Sequence, residues 1–277
     1  MTTERLRLKR FPAVHRLWHF GLIVLFMTMG VTGLAWMFIE TAWGTWMAGW
    51  FGGYKGVLEW HRTSGLIFLA GFVSHILYML TQVDWKHFPG SLLGPDTLVY
   101  QWVDVKGFFQ HLLWIFGLGK APRFDRWSWW EKFDYWAVWW GLIIVGVTGL
   151  MLYNPVLSSD YIPGWLLNIA LWVHRIEAVL AMGHIFTIHF YVEHFRPTAL
   201  PFNAAMFDGT ISLKDAKHEH PEWVARLERE GRLQAALVPE PPVVMRILYF
   251  MGGYAIIALG LFLLIFSLLN VGALTLL

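Results

Sequence analysis

Four histidines fall into two matched pairs. His61 and His75 are fourteen residues apart, and His174 and His189 are fifteen apart. On an α-helix the first pair lies about 40° from eclipsed and ~21 Å apart along the axis; the second lies about 60° from eclipsed and ~22 Å apart. An imidazole inside hydrocarbon is costly and marks a functional site. The neutral ring is the ligand suited to the iron of a non-covalent haem. Two helices with matched pairs could each give one ligand to each of two stacked haems, one near each membrane face. His61 and His174 pair at one depth. Gly65 and Phe68 share the face of His61, and Ala178, Ala181 and Ile185 share that of His174; small residues there let a macrocycle approach. Arg62 and Arg175 each follow an outer histidine, and their guanidinium forks suit haem propionates.

The other depth is over-supplied. His19, His75 and His189 all fall near the inner face, where one haem needs two ligands. Gly30 and Gly33 follow the His19 stripe and favour His19, whereas the spacing on the second helix favours His75. A third haem using the spare histidine is also open. Proton exchange needs titratable groups near a haem edge: His15, Glu131, Asp134, Glu193 and His194 on the inner side, Glu59 and Glu177 on the outer. His184 is off the stripe and reads as a packing residue. His87, His111, His218 and His220 read as solvated loop residues.

These histidines need helices long enough to cross a bilayer, and the composition supplies them. The chain has 277 residues, 57% hydrophobic and 14% charged, against about 25% charged in soluble domains. Mean hydropathy is +0.49. This excludes an ordinary soluble enzyme, a disordered chain and a nucleic-acid binder. There is no cysteine, so disulfides, Fe–S clusters, thiolate zinc and covalently attached haem are excluded. Five apolar stretches, at about 17–39, 60–82, 133–153, 170–192 and 246–270, can each cross ~30 Å of hydrocarbon. The first is too long for a cleaved signal peptide, and no small-residue cleavage site follows it.

Lys and Arg set the orientation. Arg5, Arg7, Lys9, Arg10 and Arg16 precede the first span, and the 83–132 and 193–246 segments are also Lys/Arg-rich. The N-terminus is therefore expected in the cytoplasm and the C-terminus outside. Residues 97–117 read as an interfacial helix, and 222–234 as a short surface helix. The string GVTGL occurs at 30–34 and again at 146–150, each time before a His-Arg helix. The chain reads as a duplicated two-helix unit with an added fifth helix: an all-α, integral-membrane four-helix haem bundle at 1–197, a polar segment at 198–245 and a fifth transmembrane helix at 246–277.

On the motifs HRLWHF (15–20), WHRTSG (60–65), EKFDYWAVWWG to GVTGL (131–150) and HRIEA to IHFYVEHFRP (174–197), the sequence resembles the bacterial multi-span diheme cytochrome b family. That family includes formate dehydrogenase gamma subunits and the cytochrome b subunits of Ni–Fe hydrogenase and thiosulfate reductase. The resemblance covers about residues 10–200. It implies ligands from span 1, span 2 and twice from span 4: His61 with His174 for the outer haem, His19 with His189 for the inner. The sequence departs from the pattern at His75, whose spacing is similar to that in the cytochrome b of quinol:cytochrome c oxidoreductases. The fifth span is also an addition.

The function expected is a membrane cytochrome b subunit of a respiratory oxidoreductase in the bacterial inner membrane. It would pass electrons through two b haems between quinone and a partner: a multihaem cytochrome, Fe–S, molybdenum or Ni–Fe subunit. The rival readings are a His-lined transporter or proton channel, which would spread polar residues through the spans, and a cofactor-free anchor. Spans 1 and 3 carry almost no polar residues.

Overall fold

A computed structural model describes residues 6–273. Arg5 and positions 274–277 of the expected fifth-span segment lie outside the described residues. Among the described residues five helices are long and apolar enough to cross a membrane: α1 (Ala13–Met37), α2 (Gly53–Gln82), α4 (Trp129–Tyr153), α5 (Gly164–Phe195) and α7 (Val243–Ala273). Between them lie α3 (Trp102–Ile115) and α6 (Pro221–Arg229). The helical class expected from hydropathy holds. Several spans begin earlier than the apolar runs do, because helices continue into the polar residues that border the hydrocarbon.

Only 11% to 33% of each span's most apolar stretch is buried within the protein. Val24, Ile67, Val73, Ile143, Val147 and Ile176 all point outward. Such apolar faces suit lipid rather than water, and a helix can enter lipid because its interior backbone groups pair within it.

Two compact units emerge, both assembled from discontinuous segments, so they cut across the division at 197 and 245. Among the described residues one comprises 17–77, 138–202 and 250–273, the other 6–16, 78–137 and 203–249. In the first, the bundle unit, the core joins Val31, Leu34 and Ala35 of α1 to Phe186 and Phe190 of α5 and to Ile257 and Leu263 of α7. Gly260 makes this contact possible: a Cβ there would lie 2.7 Å from Phe186 and 2.8 Å from Phe190. The Tyr254 hydroxyl donates to the Pro201 carbonyl.

The second unit carries a feature absent from the all-helical expectation. Strand β1 (Leu6–Lys9) runs antiparallel between β2 (Thr210–Ser212) and β3 (Leu237–Pro239). Alternation along β1 buries Leu8 with Ala216, Trp223, Val224 and Leu227. The helix expected at 222–234 is shorter, and it buries one face rather than lying free on the surface. Arg226 of α6 forks onto Asp125 and Asp96 at 2.6 and 2.9 Å.

Candidate histidine site

The duplicated string builds the same contact twice. In α1, Thr32 Oγ1 lies 2.9 Å from His61 Nδ1 on α2; in α4, Thr148 Oγ1 lies 3.0 Å from His174 Nδ1 on α5. The next residue in each string also matches. A Cβ on Gly33 would lie 3.2 Å from His61 Cε1, and one on Gly149 would lie 3.2 Å from His174 Cε1. The first glycine of each string crosses to the other half. A Cβ on Gly30 would lie 3.5 Å from Met182 and one on Gly146 would lie 3.2 Å from Leu69, each partner eight residues beyond its outer histidine.

His61 and His174 face each other with ring centroids 6.3 Å apart and planes at 78°. Two imidazoles bonding one metal from opposite sides, each through a nitrogen at about 2 Å, have ring centres about 6 Å apart. Both Nδ1 atoms are engaged by threonine, which leaves each Nε2 able to ligate a metal. The residues present therefore fit a haem held by two imidazoles. Of the two arginines, Arg175 is an electrostatic neighbour of His174, while Arg62 lies over the ring of Tyr153 at 5.6 Å.

The inner histidines form a second group in the bundle unit. His19, His189 and His194 lie near enough to one another that a charge on one would be felt by the others. The His189 and His194 ring centroids are 6.4 Å apart. His75 has different company: it meets Trp18 at 5.5 Å and Trp139 at 6.2 Å, both edge-on. The fifteen-residue interval on α5 has a structural reason. After Gly183 the helix continues as π-helix over His184–His189 and again over Tyr191–Phe195. Each i→i+5 turn holds one residue more than an α turn, so the additional residue is absorbed before His189 is reached.

The proton candidates divide. Glu131 is committed to structure: it pairs with the buried Arg10, accepts from the Ser128 backbone and hydroxyl at 2.8 Å each, and lies 4.0 Å from His220. His220, expected to be solvated, is instead buried and bonded to the Asp125 carbonyl at 2.8 Å. His111, likewise expected in solvent, packs against Trp114 and Trp130. His15 meets Tyr78 edge-on at 6.2 Å, and Asp134 is an electrostatic neighbour of Tyr100. On α5, Glu177 sits where a Cβ on Gly141 would be 3.6 Å from its carboxylate. Glu193 is half-buried and Glu59 is exposed.

Sequence reading missed Thr32 and Thr148. The repeat of GVTGL is visible in the sequence, and its glycines read as helix packing. The threonine is the only residue of that string able to hydrogen-bond through its side chain, and that was the available signal.

The model of one protein family, described as prokaryotic cytochrome b561, matches residues 10–209. The chain is also similar to the cytochrome b556(Fdn) subunit of nitrate-inducible formate dehydrogenase from Escherichia coli (strain K12). It is 23% identical over 99 residues, which cover 36% of this chain and 43% of that protein. The corresponding subunits of Escherichia coli O157:H7 and Shigella flexneri match to the same extent. The chain thus spans less than half the length of these curated relatives.

Proposed function

Since the chain belongs to the prokaryotic cytochrome b561 family, and so is a membrane cytochrome b of electron transfer, we propose that it links the quinone pool to a partner redox subunit through two b haems. The observation that carries this reading is the facing pair His61–His174, each ring held at Nδ1 by a threonine of the duplicated string. Haem b, when bound, supplies reversible one-electron transfer.

In this reading His61 and His174 hold the outer haem through Nε2, and His19 and His189 hold the inner one. The mutual proximity of His19, His189 and His194 supports that inner pairing. His75, set between Trp18 and Trp139, is the alternative inner ligand or a ligand of a third haem. Arg175 and Arg62, each next in sequence to an outer histidine, are the groups to receive propionates. With no cysteine in the chain, coordination and packing alone retain the haems.

Quinol oxidation releases protons as well as electrons, so titratable side chains must accept them. Glu177, one turn past His174, serves the outer side. His194, Glu193, Asp134 and His15 serve the inner side. Glu131 keeps its ion pair with Arg10 and takes no part. The N-terminus lies in the cytoplasm and the protein sits in the bacterial inner membrane, docked to a subunit carrying multihaem, Fe–S, molybdenum or Ni–Fe centres. The similarity to a formate dehydrogenase cytochrome subunit supports a partner of this class.

The test is a reduced-minus-oxidised visible spectrum of the detergent-purified chain, followed by addition of a quinol. A low-spin b-type spectrum that the quinol reduces supports the reading. A chain without such a spectrum, or one that quinol leaves oxidised, contradicts it.

A further inference from the structure

We infer that Thr32 and Thr148 are positioning residues that lock His61 and His174 with their Nε2 lone pairs aimed at the outer iron and raise the electron donation of both rings. The inference rests on the reading of these histidines as haem ligands, and deepens it.

The hydrogen-bond count gives the direction of each contact. A threonine hydroxyl has one proton to donate. Thr32 donates it to the Thr28 carbonyl at 2.7 Å, and Thr148 donates it to the Ile144 carbonyl at 2.7 Å. Each oxygen can then only accept from the histidine, so Nδ1 carries the proton and Nε2 the lone pair. The bond to the preceding turn, with the branched side chain, fixes where the oxygen points. Thr32 and Thr148 are both buried, so water cannot replace the contact freely. Each ring is thus held at Nδ1 by the hydroxyl, and the next glycine, having no Cβ, leaves room for Cε1.

An imidazole whose N–H is engaged by an acceptor is a stronger donor through its other nitrogen. The ferric haem gains more from that donation than the ferrous one. Removing the acceptor therefore raises the midpoint potential. The two halves share this geometry, so loss of Thr32 and loss of Thr148 should act in the same direction.

The experiment compares Thr32→Val and Thr148→Val with Thr32→Ser and Thr148→Ser. Valine keeps the shape without the hydroxyl, and serine restores it. Both haems are titrated by spectroelectrochemistry, with EPR of the ferric state. The valine variants should raise the outer haem's midpoint, changing its ferric-to-ferrous ratio at fixed potential on the order of tenfold, or about 59 mV. The inner haem should not move, and serine should return both signals. Loss of the outer haem in a valine variant with recovery in serine also supports the inference. Unchanged midpoint and EPR in the valine variants, or loss in valine and serine alike, overturns it. His61→Ala separates the two levels: loss of the outer haem there upholds the ligand reading whatever the threonines do, and full retention overturns both.

Discussion

The ring of His194 lies flat on that of Phe202, 4.4 Å away and within 5° of parallel. Phe202 in turn presses on Gly253 of α7, leaving no space for a Cβ. The added fifth helix is thereby tied to a histidine of the inner group. A side chain at 253 must displace Phe202, and overpacking of this kind costs about 1–3 kcal/mol. Gly253→Val should therefore disturb the inner haem's spectrum and leave the outer haem unchanged. EPR of the two ferric signals separates these outcomes.

At the outer pair, His61→Ala and His174→Ala should each abolish the same haem, because each ring is one half of a single ligand pair. Haem quantified per chain checks this. Each variant should lose one haem, and their remaining spectra should coincide.

The inner site offers a sharper comparison. His189→Ala should lose the inner haem. His19→Ala should lose it too, since His19 neighbours His189 and His194, whereas His75→Ala should keep two haems. The opposite result for His19 and His75 would assign the ligand to α2.

In the sheet-bearing unit, Arg10 is buried and pairs with Glu131. Removing one partner of a buried ion pair typically costs about 3–5 kcal/mol. Arg10→Met should destabilise this unit by that order, and Arg10→Met with Glu131→Gln should recover much of the loss. Limited proteolysis of the 203–249 segment reports it.

The same unit should weaken in acid. Burial alone would push the Asp96 carboxyl up, but the Arg226 hydrogen bond and the charges of Arg226, Arg126 and Arg232 outweigh it and hold Asp96 below the usual carboxylate range. A carboxylate lowered in the folded state contributes stability above its unfolded value near 4, and that stability is lost as pH falls through the folded value. Protection of α6 in hydrogen exchange should therefore decline below about pH 4. In Asp96→Asn the decline should be shallower.

The spans were legible because apolar runs long enough for a bilayer have few other uses, and His61 and His174 were legible because imidazoles inside such runs need a purpose. The β-sheet was not. Its strands are three or four residues long, and Arg7 pairs with Ser212 far along the chain, so no local pattern announces them. Glu131 read as a proton candidate because its partner, Arg10, is 121 residues away. The π-helix at His184–His189 was hidden as well, since its residues carry no pattern that separates a π turn from an α turn. Thr32 and Thr148 could have been read from the repeat, had its one polar residue been asked what it bonds.

The most direct measurement is haem content per chain. The intact protein is extracted with acidified acetone, and the haem is quantified against protein by its pyridine adduct. The account predicts two haems per chain, all extracted, falling to one in His61→Ala or His174→Ala. Haem that stays on the denatured chain, a chain with no haem, or two haems in either variant would contradict it.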